Sequence, residues 1–396
     1  MVDAKQLMLM KRFLESYQDR IKIFLIDLQE QIHIETKIEI KFIQELKSNI
    51  SIGFIANHGL IKLKNCSYLL LVTEGNMIRQ LLQRTIIQVE QISFLPLVPN
   101  GRLNDIHADD QSYFQMLKCV SSTRTLYFSY EYDLSNLFDK VMGNYSQFGT
   151  QQKTSEGLYY YKIPNPRFAY NWEHIKFLNQ FQSTNLPALQ YWQTIYIRGC
   201  VLIRYCKLNQ QSDCFLNMMS RRETLSSGRR FMQRGCDQDG NCTNFAENEQ
   251  ILILNRSESR DIYSFVQTRG SMSFNWQQQQ TLNWVPKTSI IGVVKQKRFR
   301  SEHKRQLQQL QIILNLIDKK GTQKMLGEYF TSMMSSVKTV KSKYVWFDFH
   351  HECRNMKYEN LSKLLIEIKE DLKQSGYFHA EIDKINQNLH LPILLQ

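Results

Sequence analysis

Two parts of this 396-residue chain hold the side chains whose types and spacing can do chemistry. The first is Tyr344-Val-Trp-Phe-Asp-Phe-His-His-Glu-Cys-Arg-Asn-Met-Lys-Tyr-Glu-Asn-Leu361, an apolar run that ends in a dense polar cluster. His350, His351 and Glu352 are metal-ligand types, but their spacing is not His-Glu-x-x-His. Adjacent residues at a strand end also point opposite ways. Shaping a site, without a metal, is therefore the role expected of His350, Glu352, Arg354 and Lys357. Cys353 has no arginine six residues on and reads as a buried thiol.

The second part is basic. Arg221, Arg222, Arg229, Arg230 and Arg234 lie close together, and Arg269 follows. The planar fork of arginine matches phosphate oxygens, so the set is expected to line a groove for a phosphorylated ligand. The alternative is a set of surface or ion-paired arginines, which any strongly basic chain carries. Glu247 and Glu249 are two apart on a strand and so share a face. Paired carboxylates do acid–base work on sugars, but no sugar cleft is legible here. Their expected role is to pair with the arginines and hold them.

The elements that must position these groups follow from periodicity. The run before Asp348 reads as a buried strand, and Leu361, Leu364, Leu365, Ile368 and Leu372 mark one face of a helix after it. Gly59–Lys64 and Tyr68–Thr73 read as a hairpin joined through Asn65-Cys66-Ser67. Tyr127–Tyr132 alternates as a strand, with a helix expected from Asp133 to Phe138. From Trp192 to Lys207 the period is two, with Ile195, Ile197, Val201, Ile203 and Tyr205 on one face and Arg198 and Arg204 on the other. Asp239-Gly240 is a tight-turn dipeptide between Phe231–Cys236 and Thr243–Gln250. Leu307, Leu310, Leu314 and Ile317 have helical spacing, with Gly321 as the expected stop. Gln277–Gln280 reads as a loop. The polar stretch from about Gly143 to Pro166 reads as an exposed loop at a domain boundary.

A chain of this length holds two domains or one large one. Hydrophobic content of 42% and charged content of 22% are those of a globular protein. The formal charge of +13 predicts attraction to polyanions: nucleic acid, an anionic membrane face or phosphorylated lipid. No zinc finger, RNA-binding aromatic motif or recognition-helix pattern is present, which argues against nucleic acid. The basic stretch Lys287, Lys295, Lys297, Arg298, Arg300, Lys304 and Arg305 suits an anionic membrane, each charge near the surface contributing roughly 1 kcal/mol. A solvated charged loop is the bland counterpart. The longest apolar runs, Tyr68–Thr73 and Ile251–Leu254, fall far short of the roughly 18 residues that cross a bilayer. The N-terminus has no apolar region of the kind a secretory signal carries. Eight scattered cysteines fit reduced thiols in the cytosol. Cys236 and Cys242 come nearest to a motif, and with no second pair close by they do not make a zinc site.

The cluster Phe349-His-His-Glu-Cys-Arg-Asn-Met356 resembles the Phe-His-x-Glu-Cys-(Lys/Arg)-Asn-Met signature of the Sac family of phosphoinositide phosphatases. Five further blocks resemble the same family in the same order. They are Leu126-Tyr-Phe-Ser-Tyr-Glu-Tyr-Asp-Leu134, then Arg221-Arg222 with Gly228-Arg-Arg230 and Arg234-Gly235-Cys-Asp237, then Asn244-Phe-Ala-Glu-Asn-Glu-Gln250. Phe265-Val-Gln-Thr-Arg-Gly-Ser271 and Ile313–Lys320 with Gly321-Thr-Gln-Lys324 complete the set. Three positions depart from the pattern: Ser273 stands for a usual proline, Asn248 for threonine and Cys236 for an aliphatic residue.

The resemblance implies an α/β (mixed α+β) protein. Residues 1–165 would form an N-terminal mixed-sheet subdomain and 166–396 part of a Cys-phosphatase-like catalytic domain. It implies hydrolysis of phosphate from the inositol ring, chiefly of phosphatidylinositol 4-phosphate, through a phosphocysteine and without a metal or other cofactor. It also implies a cytoplasmic protein peripheral to endomembranes, at the endoplasmic reticulum or Golgi face if a family anchor follows. The partners implied are the phosphoinositide head group and an anionic membrane surface; nothing sets an oligomeric state.

The family's Cys-x5-Arg-Thr loop is not found. None of the eight cysteines has an arginine six positions later, and Cys214 and Arg221 miss by one. No catalytic residue is therefore assigned, and this chain is expected to be inactive by itself. Two readings stay open: a piece of an active phosphatase, or a pseudo-phosphatase that binds phosphoinositide or a partner without turnover.

Overall fold

The computed structural model describes residues 56–63, 67–82, 84–96, 108–130, 132–142, 164–179, 194–208, 212–224, 235–236, 241–256, 258–278, 287–292, 310–336, 341–383 and 389–390. It is a mixed α/β structure whose strands pair mostly antiparallel, with a few helices. The chain divides into two compact units, Met1–Ile203 and Arg204–Gln396. The polar stretch read from the sequence as a boundary lies, for residues 143–163, outside the described residues.

In the first unit β1 (Ala56–Lys62), β2 (Ser67–Leu81), β3 (Arg84–Pro96), β4 (Leu126–Phe128) and β5 (Tyr196–Leu208) pair antiparallel in that order, and the unit ends within β5. Helices α1 (Ala108–Ser121) and α2 (Trp172–Asn179) belong to the same unit. Alternation places Tyr68, Leu70 and Val72 of β2 in one core with Ile87, Val89, Phe128 and Tyr196. The β1–β2 hairpin is present, and β2 continues well past Thr73. On β5 Ile197, Val201 and Ile203 are buried, whereas Tyr205 on the same face is exposed. The strand at Tyr127 ends at Phe128. The helix expected from Asp133 starts only at residue 138. Asp133 instead closes a local turn, accepting from the Ser135 N–H (2.8 Å), the Ser135 hydroxyl and Asn136 Nδ2. A short carboxylate bonding its own neighbours competes with helix start in this way.

In the second unit β6 (Ser212–Arg222), β7 (Ala246–Asn255), β8 (Ser259–Arg269), β13 (Phe378–Asp383) and β14 (Leu389–His390) pair antiparallel in the order β6-β7-β8-β13-β14. A small hairpin pairs β9 (Asn275–Gln278) with β10 (Thr288–Gly292), so Gln277 and Gln278 lie in a strand where a loop was expected. The helix read over Leu307–Ile317 is also corrected. Gln311–Asn315 is strand β11, which pairs parallel with β12 (Ser342–Trp346). Its short β-branched run suits a half-buried pleat, and the partner that decides the matter is some thirty residues away in sequence. Gly321, at φ +66, opens a 3-10 turn instead of closing a helix, and α3 (Lys324–Ser336) then crosses between the two parallel strands.

After β12 come one helical turn, α4 (Phe349–Glu352), and the longer α5 (Leu361–Ser375), which ends at Gly376 with φ +70. Leu364 and Ile368 are buried with Val345, Phe347 and Cys353, and Leu361 and Leu372 pack against them. Each such burial is worth about 1.5–3 kcal/mol. Leu365, expected on this face, is 57% exposed. The buried stripe steps 361, 364, 368, 372, and a residue one beyond 364 turns about 100° away from it.

Candidate functional site

The polar signature sits at the C-terminal ends of the parallel pair β11 and β12. Open α/β sheets offer ligand crevices at the same strand ends. Asp348 organises it. Its carboxylate accepts from the His351 N–H (3.0 Å), capping α4, and from the Lys319 N–H (2.8 Å) of the segment after β11. Burial pushes the Asp348 pKa up, but the two N–H donors and the nearby Lys319 and His351 charges bring it below its ordinary value. The two strand ends are tied again by His350 Nδ1 to Asp318 Oδ1 (2.7 Å), by Phe347 N to the Asn315 carbonyl (2.9 Å) and by Trp346 Nε1 to the Ile317 carbonyl (2.9 Å).

Cys353 is buried in the core under α5. Glu352 pairs with Lys363 (3.1 Å), while Arg354 and Lys357 are exposed. Between them Asn355 (φ +59) and Met356 (φ +61) both adopt the left-handed conformation, which costs an unbranched residue such as methionine roughly 1–2 kcal/mol. Among the described residues no group of three or more His, Cys, Asp and Glu side chains is placed to hold a metal ion.

The basic candidates divide. Arg221 has no exposed surface. Its Nη2 donates to Glu249 Oε2 at 2.6 Å, and its Nη1 lies 3.7 Å from Glu247 Oε1. Glu249 Oε1 accepts from the Ser264 hydroxyl at 2.8 Å. This guanidinium is enclosed and neutralised by carboxylates.

The neighbouring residue points the other way. Arg222 of β6 is in register with Ala246 of β7, and Ala246 is in register with Arg269 of β8. Laterally opposed residues share a sheet face. Arg222 and Arg269 therefore flank a small side chain at one end of the sheet, on the face opposite Arg221, and both are exposed. Two strand spacings separate their backbones, about 10 Å. Forks of that reach can converge on one polyanionic group. Arg229, Arg230 and Arg234 lie outside the described residues, as do Lys295 to Arg305; Lys287 is described and exposed.

Sequence reasoning missed Asp348, Asp318 and Ser264. Asp348 had a legible signal, an aspartate at a strand end just before a helical turn. Asp318 and Ser264 had none, because their partners are distant in sequence.

The model of the SacI homology domain matches residues 55–354. The chain is 30% identical over 333 residues to phosphatidylinositol-3-phosphatase SAC1-B of Danio rerio, covering 82% of this chain and 53% of the relative. It is 30% identical over 334 residues to phosphoinositide phosphatase SAC6 of Arabidopsis thaliana, covering 81% and 52%. It is 29% identical over 333 residues to phosphatidylinositol-3-phosphatase SAC1 of Saccharomyces cerevisiae, covering 82% and 50%. The chain thus spans about half the length of the curated relatives it matches.

Proposed function

This chain belongs to the SacI homology domain family, and from that membership we propose that it recognises the phosphorylated inositol head group of a membrane phosphoinositide. The observation that carries the reading is the match over residues 55–354. The lateral pair Arg222 and Arg269, in register across Ala246, supports it, as does the formal charge of +13, which favours an anionic membrane face. Arg229, Arg230 and Arg234 join this groove in the proposal.

The activity of the protein as a whole is phosphoinositide phosphatase chemistry. Such a reaction, routed through a phosphocysteine, needs a thiolate with an arginine to hold the phosphate oxygens. No cysteine of this chain stands six residues before an arginine. We therefore read the 396-residue chain as a recognition unit that releases no phosphate by itself. The polar cluster at His350, Glu352, Arg354 and Lys357 shapes the site without attacking the substrate. As to the ring position, the resemblance favours the 4-phosphate, while two of the relatives are named for the 3-phosphate.

Vesicle flotation tests the reading. Vesicles carrying phosphatidylinositol 3-phosphate or 4-phosphate are compared with phosphatidylserine vesicles of equal surface charge. The expected result is preferential binding to one monophosphate, weakened tenfold or more in Arg222→Ala/Arg269→Ala, about the worth of one charge-assisted contact. Equal binding to phosphatidylserine, or binding indifferent to both substitutions, rejects the groove. Phosphate released above background in a malachite-green assay rejects the absence of turnover.

A further inference from the structure

We propose that Cys236 and Cys242 form a redox-modification site, a thiol pair set to close into a reversible disulfide. The two residues oppose each other in an isolated antiparallel bridge. The Thr243 N–H donates to the Gly235 carbonyl at 2.9 Å, one residue outside the pair on each side. That bond makes Cys236 and Cys242 a non-hydrogen-bonded pair, the kind whose Cα atoms approach to about 4.5 Å. A disulfide spans Cα separations of about 4.4–6.8 Å, and a pair of this kind falls within that range.

The surroundings hold this geometry. Gly235 sits at φ +79, and a Cβ there would lie 2.6 Å from the Trp276 carbonyl oxygen and 3.0 Å from that of Phe274. Gly235 N–H donates to the Ser271 hydroxyl (3.0 Å), the Thr243 hydroxyl donates to the Gly235 carbonyl (2.8 Å), and Ser271 N–H donates to the Thr243 carbonyl (3.0 Å). Both cysteines are present as thiols, Cys236 7% and Cys242 2% exposed. Their burial restricts the oxidant to something small, and a peroxide fits.

The Cys236 sulfur attacks the O–O bond of hydrogen peroxide, gaining an S–O bond and releasing one water. The Cys242 sulfur then displaces the hydroxyl as a second water, forming the S–S bond. Two thiols and one peroxide thus give one disulfide and two waters, and two equivalents of a small thiol reverse it. The crosslink pins the bridge that precedes β7. The proposal is independent of the head-group reading.

Peptide mapping of the folded wild-type chain decides it. Trypsin releases Gly235–Arg256, which holds these two cysteines and no other. The chain is treated with graded hydrogen peroxide, blocked with iodoacetamide and digested without reductant. The expected product is that peptide unalkylated and about 2 Da lighter, the mass of two hydrogens lost to the bridge. It should take two labels after dithiothreitol. The exposed Cys119 and Cys200 serve as internal standards. The proposal is overturned if these two are consumed while Gly235–Arg256 still takes two labels. It is equally overturned if either cysteine is found joined to a different one, or as an unbridged sulfinic acid.

Discussion

Arg221 and Glu249 form an ion pair with neither side chain exposed, 2.6 Å apart across the adjacent strands β6 and β7. The contact is diagonal, because Arg221 is in register with Glu247 and Glu249 lies two residues on, on the same face. One residue further along β6 the chain presents Arg222 to the opposite face, in line with Arg269. Pleating thus separates two consecutive arginines into a structural group and a surface group.

Glu249→Ala leaves a buried guanidinium without its nearest carboxylate, which costs about 3–5 kcal/mol. Arg221→Ala costs a similar amount. The double variant Arg221→Ala/Glu249→Ala should lose less than the two single losses summed, because residues in contact are not additive. Urea denaturation of the four proteins measures it, and simple additivity would refute the coupling.

Arg222 and Arg269 should behave in the reverse way. Arg269→Ala is expected to move stability by no more than about 0.5 kcal/mol, as exposed substitutions do, and Arg222→Ala by no more than about 1 kcal/mol, the worth of an exposed polar contact. Their vesicle binding, in contrast, should fall as described above. A thermal melt alongside flotation separates the two effects.

A pH dependence is expected from the first unit. His58 lies at a bulge in β1, between the rings of Tyr170 (5.8 Å) and Tyr196 (4.7 Å). His174 takes a hydrogen bond from Asn57 Nδ2 at 3.0 Å. Burial, helped for His58 by its neighbour His174, lowers both histidines from 6.5 to about 4. Between those values the unfolded chain binds more protons than the folded one, so stability is intact above pH 6.5 and lost as pH falls toward 4. A shift of this size is worth roughly 3 kcal/mol for one histidine. His58→Phe keeps a ring between the tyrosines and should flatten the loss in melts taken across that range. Asp348, whose pKa is lowered, adds a further loss at lower pH, as its carboxylate protonates.

Gly327 offers a steric test of the signature's support. A Cβ there would lie 2.2 Å from Trp346 Cζ2, and Trp346 holds the Ile317 carbonyl through its indole N–H. Gly327→Ala should cost about 1–3 kcal/mol, the usual range for overpacking. It should also speed hydrogen exchange at that indole, because the ring must leave its acceptor. An unchanged midpoint in urea would show that the helix yields instead.

Local order along the chain was enough for several features. Ordered motif blocks pointed to the family, the two-residue period placed Ile197, Val201 and Ile203 inward, and the same period put Glu247 and Glu249 on one face. These signals are short-range: alternation and helical spacing follow from backbone geometry alone. Tertiary structure alone decided the rest. Gln311–Asn315 became a strand because β12, distant in sequence, pairs with it in parallel, and spacing at three and four residues cannot reveal such a partner. Which of Arg221 and Arg222 is enclosed depends on what covers each face of the sheet. Periodicity says only that they differ.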